Sequence, residues 1–218
     1  MTGHDAVIFD LDGTLWDSSA ACAVGWQNVL DRHAIPFRAI TAADVRAVAG
    51  RPHEACIRET FLGLAEEHLR VLSVETPEED NRMVAALGGE LYPYVEEGLE
   101  RLGRRLGLYI VSNCQAGYVE TFLRWIRCAA LFRDFECWGN TGQSKTENLR
   151  SLIERNALTR PIFVGDTEGD RVAAEACGVP FIHAAYGFGR CEYPTHPTHR
   201  RAATFRELVD LVEQAQSH

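Results

Sequence analysis

The stretch "VIFDLDGTLWDSS", from Val7 to Ser19, joins a short apolar run to two closely spaced carboxylates. The apolar run has the length of a buried strand. It ends at Asp10, and Asp12 follows two positions later beside Gly13, a residue that favours a turn. Two neighbouring like charges repel each other unless a cation neutralises them. The stretch therefore predicts a strand that carries a charged site at its carboxyl end.

The composition is that of an ordinary folded protein, with 218 residues of which 46% are hydrophobic and 24% charged. This length accommodates either one large α/β domain or a core domain of about 130 residues with a smaller module. The formal charge of −9 disfavours a nucleic-acid groove or an anionic membrane surface, because both are approached through lysine and arginine clusters. Seven singly spaced cysteines, and a start unlike a signal peptide, predict a cytoplasmic protein with reduced thiols. The sequence leaves the oligomeric state open.

Further apolar runs of strand length recur along the chain, and helical patterns lie between the later ones. The runs are 108–111, 135–137, 161–164 and 180–183, and the helical patterns are 116–127, 145–156 and 168–177. Because strands and helices alternate, the sequence predicts an α/β fold with a mainly parallel sheet and helices on both faces.

Residues 17–92 break this alternation, since they contain no convincing strand and have several helical patterns. "TAAD" (41–44) and "TPEE" (76–79) have the form of capping boxes, and the second places Pro77 at the first helical position. We therefore expect a core domain of residues 1–16 and 93–218, and an inserted helical cap of residues 17–92 over the carboxyl edge of the sheet.

Open parallel sheets bind ligands in the crevice beyond the carboxyl ends of their strands. Polar residues follow the predicted strands at this edge, namely Asp10, Asp12, Ser112, Asn113, Asp166 and Asp170, and Lys145 precedes a nearby helix. The chemistry of the protein is therefore expected to lie among these side chains.

In this order, "DLDGTL", "VSN", the lysine and "GDTEGD" resemble the four motifs of the haloacid dehalogenase-like superfamily. Any one motif alone is a weak signal, but the four together are specific and span almost the whole chain. The resemblance is to the branch of phosphoglycolate phosphatase and beta-phosphoglucomutase, whose cap lies between the first two motifs. It implies a Rossmann-like core and a Mg²⁺-dependent phosphatase that acts on a small phosphorylated metabolite.

The resemblance also implies roles for the acidic residues. Asp10 would be the nucleophile that forms an aspartyl-phosphate, and Asp12 the general acid and base. Mg²⁺ would be held by the side chains of Asp10 and Asp166 and by the backbone carbonyl of Asp12. Asp170 would support the metal or Lys145 without contacting the substrate. "TEGD" also has the form of a capping box, and Asp170 can serve both roles.

Ser112 and Asn113 would donate hydrogen bonds to a phosphoryl oxygen in this family. The alternative is helix capping, because "SNCQ" has the form of a capping box. "SKTE" is another capping box, and a lysine at a helix N-terminus opposes the helix dipole unless both face an anion. Lys145 is therefore interpreted as the charge that balances Asp10 and the phosphoryl group.

The stretch "AGRPHEA" (49–55) places Arg51 and His53 on a predicted loop of the cap. Arg51 is a candidate to grip a phosphate or a carboxylate of the substrate, and His53 is a weaker one. The alternative for Arg51 is an ordinary solvated side chain. The histidines of "PTHPTH" (194–199) lack further ligands and predict a solvent-facing loop.

Two other functions stay open at this point. A sugar phosphomutase would return the phosphoryl group to its substrate before water attacks, and a non-catalytic protein would only bind a phosphorylated ligand. Dehalogenation is disfavoured because that branch lacks an aspartate at the position of Asp12. Phosphonate cleavage is disfavoured for the same reason and because it needs a cap lysine, whereas residues 17–92 contain none.

Overall fold

The computed structural model describes residues 3–189, 191 and 199–215 of the chain. The strands are β1 (Ala6–Phe9), β2 (Trp16–Asp17), β3 (Glu90–Leu91), β4 (Gly107–Ser112), β5 (Phe132–Cys137), β6 (Pro161–Gly165), β7 (Phe181–Ala184) and β8 (Arg200–Ala202). The helices are α1 (Ser19–Arg32), α2 (Ala42–Val48), α3 (His53–Thr60), α4 (Glu66–Leu87), α5 (Val95–Gly103), α6 (Tyr118–Trp125), α7 (Trp138–Thr141), α8 (Lys145–Arg155), α9 (Glu168–Ala176) and α10 (Phe205–Gln214).

Six strands form one sheet in the order β5-β4-β1-β6-β7-β8, and each neighbouring pair is parallel. Strand β1 lies inside the sheet, where Phe9 pairs with Ile110 on one side and Val164 on the other. Its side chains are buried on both faces, as expected of a strand covered by helices on both sides. The predicted parallel α/β fold is confirmed.

Helices α1 to α4 surround an apolar cluster of their own, which includes Trp26, Leu30, Ile57 and Phe61. Strands β2 and β3 pair antiparallel at the two places where this helical segment leaves and rejoins the sheet. The sequence analysis did not predict this ribbon, because two-residue strands carry no periodic signal. The division into a core domain and a cap of residues 17–92 stays a prediction.

The helix predicted to begin at "TPEE" does not begin there, because α4 runs unbroken from Glu66 through Pro77 to Leu87. Thr76 is fully buried, and its hydroxyl donates to the Leu72 carbonyl at 2.6 Å instead of capping a new helix. Proline removes one helical hydrogen bond. Packing of the apolar face of α4 offsets this loss, since helices in proteins are stabilised mainly by tertiary contacts. The "TAAD" capping box, by contrast, is confirmed.

Some elements at the edge of the fold were not predicted, and one predicted loop is only partly described. Helices α5 and α10, which pack against the sheet, and strand β8, which pairs with β7 at its edge, were not predicted. Residues 194–198 of "PTHPTH" lie outside the described residues.

Within the described part of the chain, every helix is too short or too polar to cross a membrane.

Helices α1 and α4 are joined by a buried carboxylate. Glu79 is 4% exposed and accepts hydrogen bonds from Arg82 at 3.0 Å, Asn28 at 2.8 Å and Arg32 at 3.1 Å. The hydrogen bond from Arg82, helped by those from Asn28 and Arg32, lowers the pKa of Glu79 to about 2. The folded protein therefore holds this group as a carboxylate well into the acid range.

We predict that Glu79→Gln lowers the free energy of unfolding at pH 7 by about 1–3 kcal/mol, because the cationic and amide donors lose a charged partner. Since the folded-state pKa lies below the ordinary value of 4.5, this contribution is present above pH 4.5 and is lost as the pH falls towards 2. The difference between the two proteins should shrink over that range in urea denaturation. The neighbouring, exposed Glu78→Gln is the control, and equal effects of the two substitutions would contradict the prediction.

Candidate active site

One lysine stands at the centre of the sheet's carboxyl edge. Lys145 is the only lysine in the sequence and is 6% exposed. Its Nζ lies 2.7 Å from Asp10 Oδ1 and 2.6 Å from Asp170 Oδ1. Although burial disfavours the ammonium, these two carboxylates raise the pKa of Lys145 above its ordinary value. The centre of the site therefore holds a fixed positive charge.

The capping boxes that the sequence predicted around this lysine are formed. Ser144 caps α8 by accepting from the Glu147 amide, which places Lys145 on the first turn. Thr167 caps α9, and its amide and hydroxyl donate to Asp170 Oδ2 at 2.9 and 2.7 Å. Asp170 therefore performs both tasks that the sequence indicated, because one oxygen completes the cap and the other binds Lys145.

Three buried carboxylates, those of Asp10, Asp166 and Asp170, each offer an oxygen within 4.8 Å of the others. Asp166 Oδ2 accepts from the amides of Phe188 and Gly189, whereas Oδ1 has no hydrogen-bond partner among the described residues. Burial, reinforced by the charge of Asp170, raises the pKa of Asp166 to about 7. Burial also raises the pKa of Asp10, against the effect of Lys145. An oxygen-only set with one unmatched oxygen fits a hard divalent cation such as Mg²⁺.

The loop after β7 holds Asp166 in place, and the sequence analysis missed it. A Cβ at Gly187 would lie 2.1 Å from the Gly13 carbonyl oxygen, and one at Gly13 would lie 2.3 Å from Asp166 Oδ2. Gly13 also has a φ of 82°, which glycine adopts at little cost. The signal in the sequence is the Gly-x-Gly at 187–189, which follows the last predicted strand where a ligand-binding loop is expected.

Asp12 lies apart from these three carboxylates. Its Oδ1 accepts from the Ser18 hydroxyl at 2.8 Å and from the Tyr118 hydroxyl at 2.9 Å, and the two hydroxyls also contact each other. Burial raises the pKa of Asp12 to about 6, although both hydrogen bonds oppose the rise. A carboxyl with a raised pKa is suited to donate a proton. Ser18 and Tyr118 had no recognisable motif, so sequence reasoning did not find them.

Ser112 is the last residue of β4, and Asn113 follows it at the same edge. Ser112 Oγ accepts from the Cys114 amide at 3.2 Å, and α6 begins later with Gly117 at its N-cap. The capping alternative for "SNCQ" is therefore wrong. Asn113 Nδ2 donates to the Gly50 carbonyl at 2.8 Å, which connects the sheet edge with the loop between α2 and α3.

A cavity of about 80 Å³ lies between the sheet edge and the helical segment. Asp10, Asp12, Ser112 and Asn113 line it from the sheet, and Arg51 and His53 line it from the helices.

The Arg51 side chain is 49% exposed and pairs with Glu59. His53 is not on a loop, since it is the buried first residue of α3, and burial lowers its pKa to about 4. The structure thus brings the sequence-predicted residues together, while their roles stay predictions.

Known proteins resemble this chain in sequence and in fold. The family model described as haloacid dehalogenase-like hydrolase matches residues 7–184. A phosphoglycolate phosphatase from Xanthomonas campestris pv. campestris is 32% identical over 197 residues, which cover 84% of each chain. The phosphoglycolate phosphatase of Escherichia coli K12 is 30% identical over 207 residues, covering 84% of this chain and 81% of that protein. A crystal structure described as a predicted phosphoglycolate phosphatase from Haemophilus somnus has the same fold, with a TM-score of 0.81 at 20% identity over 97% of this chain and 99% of that one.

We predict that Lys145→Met lowers the free energy of unfolding of the metal-free protein by about 3–5 kcal/mol, because two buried carboxylates lose their counter-charge. Urea denaturation in EDTA measures the change. Arg150→Met, which removes an exposed cation from the same helix, is the control and should change stability by less than about 0.5 kcal/mol. Similar losses in the two variants would show that Lys145 does not balance Asp10 and Asp170.

Proposed function

Because this chain belongs to the haloacid dehalogenase-like hydrolase family, we propose that it hydrolyses small phosphomonoesters through an aspartyl-phosphate. The observation that carries the proposal is the buried Lys145 between Asp10 and Asp170, beside a cavity that Asp12 also lines. The names of the relatives support a phosphatase and make phosphoglycolate one candidate substrate. We propose further that residues 17–92 act as a cap that covers this cavity.

Asp10 is the nucleophile of the proposed reaction. Lys145 holds Oδ1, and we assign the attack on phosphorus to the other carboxylate oxygen. The new bond joins Asp10 to phosphorus while the ester P–O bond breaks, which needs a nucleophile in line with the leaving oxygen. Ser112 and Asn113, which line the same cavity, donate hydrogen bonds to the phosphoryl oxygens.

Asp12 transfers the protons of both steps. It gives a proton to the leaving alcohol, and then takes one from the water that attacks phosphorus and releases phosphate from Asp10. Ser18 and Tyr118 fix its Oδ1 by hydrogen bonds, so the side chain keeps one orientation in both steps. An acid that becomes a base in the second step returns to its starting state after each turnover.

Mg²⁺ would be held by Asp10, Asp166 and the Asp12 carbonyl, and when bound it would neutralise charge on the phosphoryl oxygens and the carboxylates. Its support is the unmatched Asp166 Oδ1, an oxygen without a partner in the described part of the chain. Asp170 positions Lys145, because its Oδ1 lies 2.6 Å from Nζ.

We predict that p-nitrophenyl phosphate is hydrolysed with Mg²⁺ and not with EDTA, and that Asp10→Asn lowers the rate by about 10³-fold or more, because the amide is a poor nucleophile. Acid quenching during turnover, followed by peptide mass spectrometry, should find a phosphoryl group on the peptide that contains Asp10. Asp31→Asn, an exposed aspartate of α1, is the control. Full activity of Asp10→Asn would refute the proposed mechanism, and isomerisation of sugar phosphates without phosphate release would favour a phosphomutase.

We predict that Asp12→Asn lowers kcat/KM by about 10²–10⁴-fold for an alkyl ester such as ethyl phosphate, whose leaving alkoxide needs a proton. The loss should be much smaller for p-nitrophenyl phosphate, whose phenolate leaves without one. The comparison uses kcat/KM because this quantity covers the reaction up to formation of the aspartyl-phosphate and excludes its hydrolysis. Equal losses for both esters would show that Asp12 is not the general acid.

A further inference from the structure

A second buried carboxyl lines the cavity from the helical side. Asp80 lies in the middle of α4 and is 3% exposed. Trp26 Nε1 donates to its Oδ2 at 3.1 Å, whereas Oδ1 lacks a hydrogen-bond partner among the residues that the structure describes. A Cβ at Gly25 would lie 2.9 Å from this oxygen, so the glycine allows the carboxyl to pack closely against α1. An unmatched buried polar atom is unfavourable, and a ligand that pairs with it removes this cost.

The neighbouring histidine does not satisfy Asp80. His53 Nδ1 lies 3.8 Å from Asp80 Oδ2, beyond hydrogen-bond distance, and its Nε2 lies 2.6 Å from the Thr76 hydroxyl. Because burial lowers the pKa of His53 to about 4, the ring is neutral near pH 7 and offers no counter-charge. The carboxyl is thus a polar group that the described part of the fold itself leaves incomplete.

We propose that Asp80 is a specificity-determining residue that binds a hydroxyl group of the leaving alcohol, so that the substrate is a small polyol phosphate. This inference rests on the proposed phosphatase function. It assigns Asp10 and Asp12 to the phosphoryl end of the cavity and Asp80, with Trp26, to the alcohol end.

The charges around the cavity disfavour a phosphorylated acid. The acidic side chains of Asp10, Asp12 and Asp80 line the cavity. A carboxylate on the leaving group would therefore lie among acidic side chains. Arg51 is the one arginine or lysine among the described lining residues, and it already pairs with Glu59 at the rim.

A hydroxyl fits this position better than an ammonium does. A hydroxyl both donates and accepts, so it can pair with Asp80 whether the carboxyl is ionised or protonated. An ammonium only donates and requires the ionised form, whose burial beside Asp12 is unfavourable.

The test compares kcat/KM for four esters of similar size: 2-hydroxyethyl phosphate, ethyl phosphate, 2-phosphoglycolate and phosphoethanolamine. The unmodified protein should prefer 2-hydroxyethyl phosphate over each of the others by about tenfold or more, the effect of one buried hydrogen bond. Asp80→Leu, which keeps the branched shape without polar atoms, should bring the ratio of 2-hydroxyethyl to ethyl phosphate close to one and change ethyl phosphate turnover by less than about threefold.

Asp80→Asn is the second variant and preserves the shape if the leucine variant fails to fold. It keeps an acceptor for Trp26 and replaces the acid with an amide that can donate to a carboxylate, so the ratio of 2-hydroxyethyl phosphate to 2-phosphoglycolate should fall. Asp31→Asn, which makes the same change at an exposed site of α1, should leave all ratios unchanged. A uniform fall for all esters in the Asp80 variants would assign Asp80 a structural role only and overturn the inference.

Two outcomes separate this inference from the proposed function. Turnover of p-nitrophenyl phosphate together with a preference for 2-phosphoglycolate or phosphoethanolamine would overturn the role of Asp80 and leave the phosphatase intact. Absence of turnover of all five esters in the presence of Mg²⁺ would overturn both.

Discussion

The pairing of Lys145 with Asp10 and Asp170 is the interaction on which the site depends. The two carboxylates are 135 and 25 residues away from the lysine in sequence, and parallel strands bring all three to one edge of the sheet. One ammonium cannot balance Asp10, Asp12, Asp166 and Asp170 together, so the site keeps an excess of negative charge. That excess is the reason for proposing an oxygen-liganded cation there, which would also offset the repulsion of an anionic phosphoryl group.

The hydrogen bonds of Asp12, the proposed general acid, connect the sheet with the helical segment. Asp12 belongs to the sheet edge, but Ser18, the residue before α1, and Tyr118, the first residue of α6, hold it from two different elements. Asn113 and Gly50 add a second connection across the cavity. The position of the proposed acid therefore depends on how the helical segment sits on the sheet, whereas Lys145 and its carboxylates depend on the sheet and its helices alone.

The residues that could be predicted are those with a local signal. Asp10, Lys145 and Asp166 follow apolar runs or open helices, and parallel strands necessarily gather such residues at one edge. The amides of Phe188 and Gly189 and the hydroxyl of Tyr118 could not be predicted in the same way, because their roles arise from contacts between distant segments. The structure supplies these contacts, and they decide which oxygen of Asp166 and which of Asp12 is left for a ligand.

The wrongly predicted start of a helix at Thr76 explains why the sequence analysis found no role for Asp80. If a helix began at Thr76, Asp80 would lie in its first turn, where an acidic side chain ordinarily complements the helix dipole and needs no further explanation. The continuous α4 instead places Asp80 mid-helix, where that benefit is absent and burial is costly. The same continuity brings it against Gly25 and Trp26 of α1 and onto the cavity. Because α4 continues through Pro77, the helical segment carries Asp80 at the cavity. We propose that Asp80 binds the alcohol part of the substrate there, which the sheet does not bind.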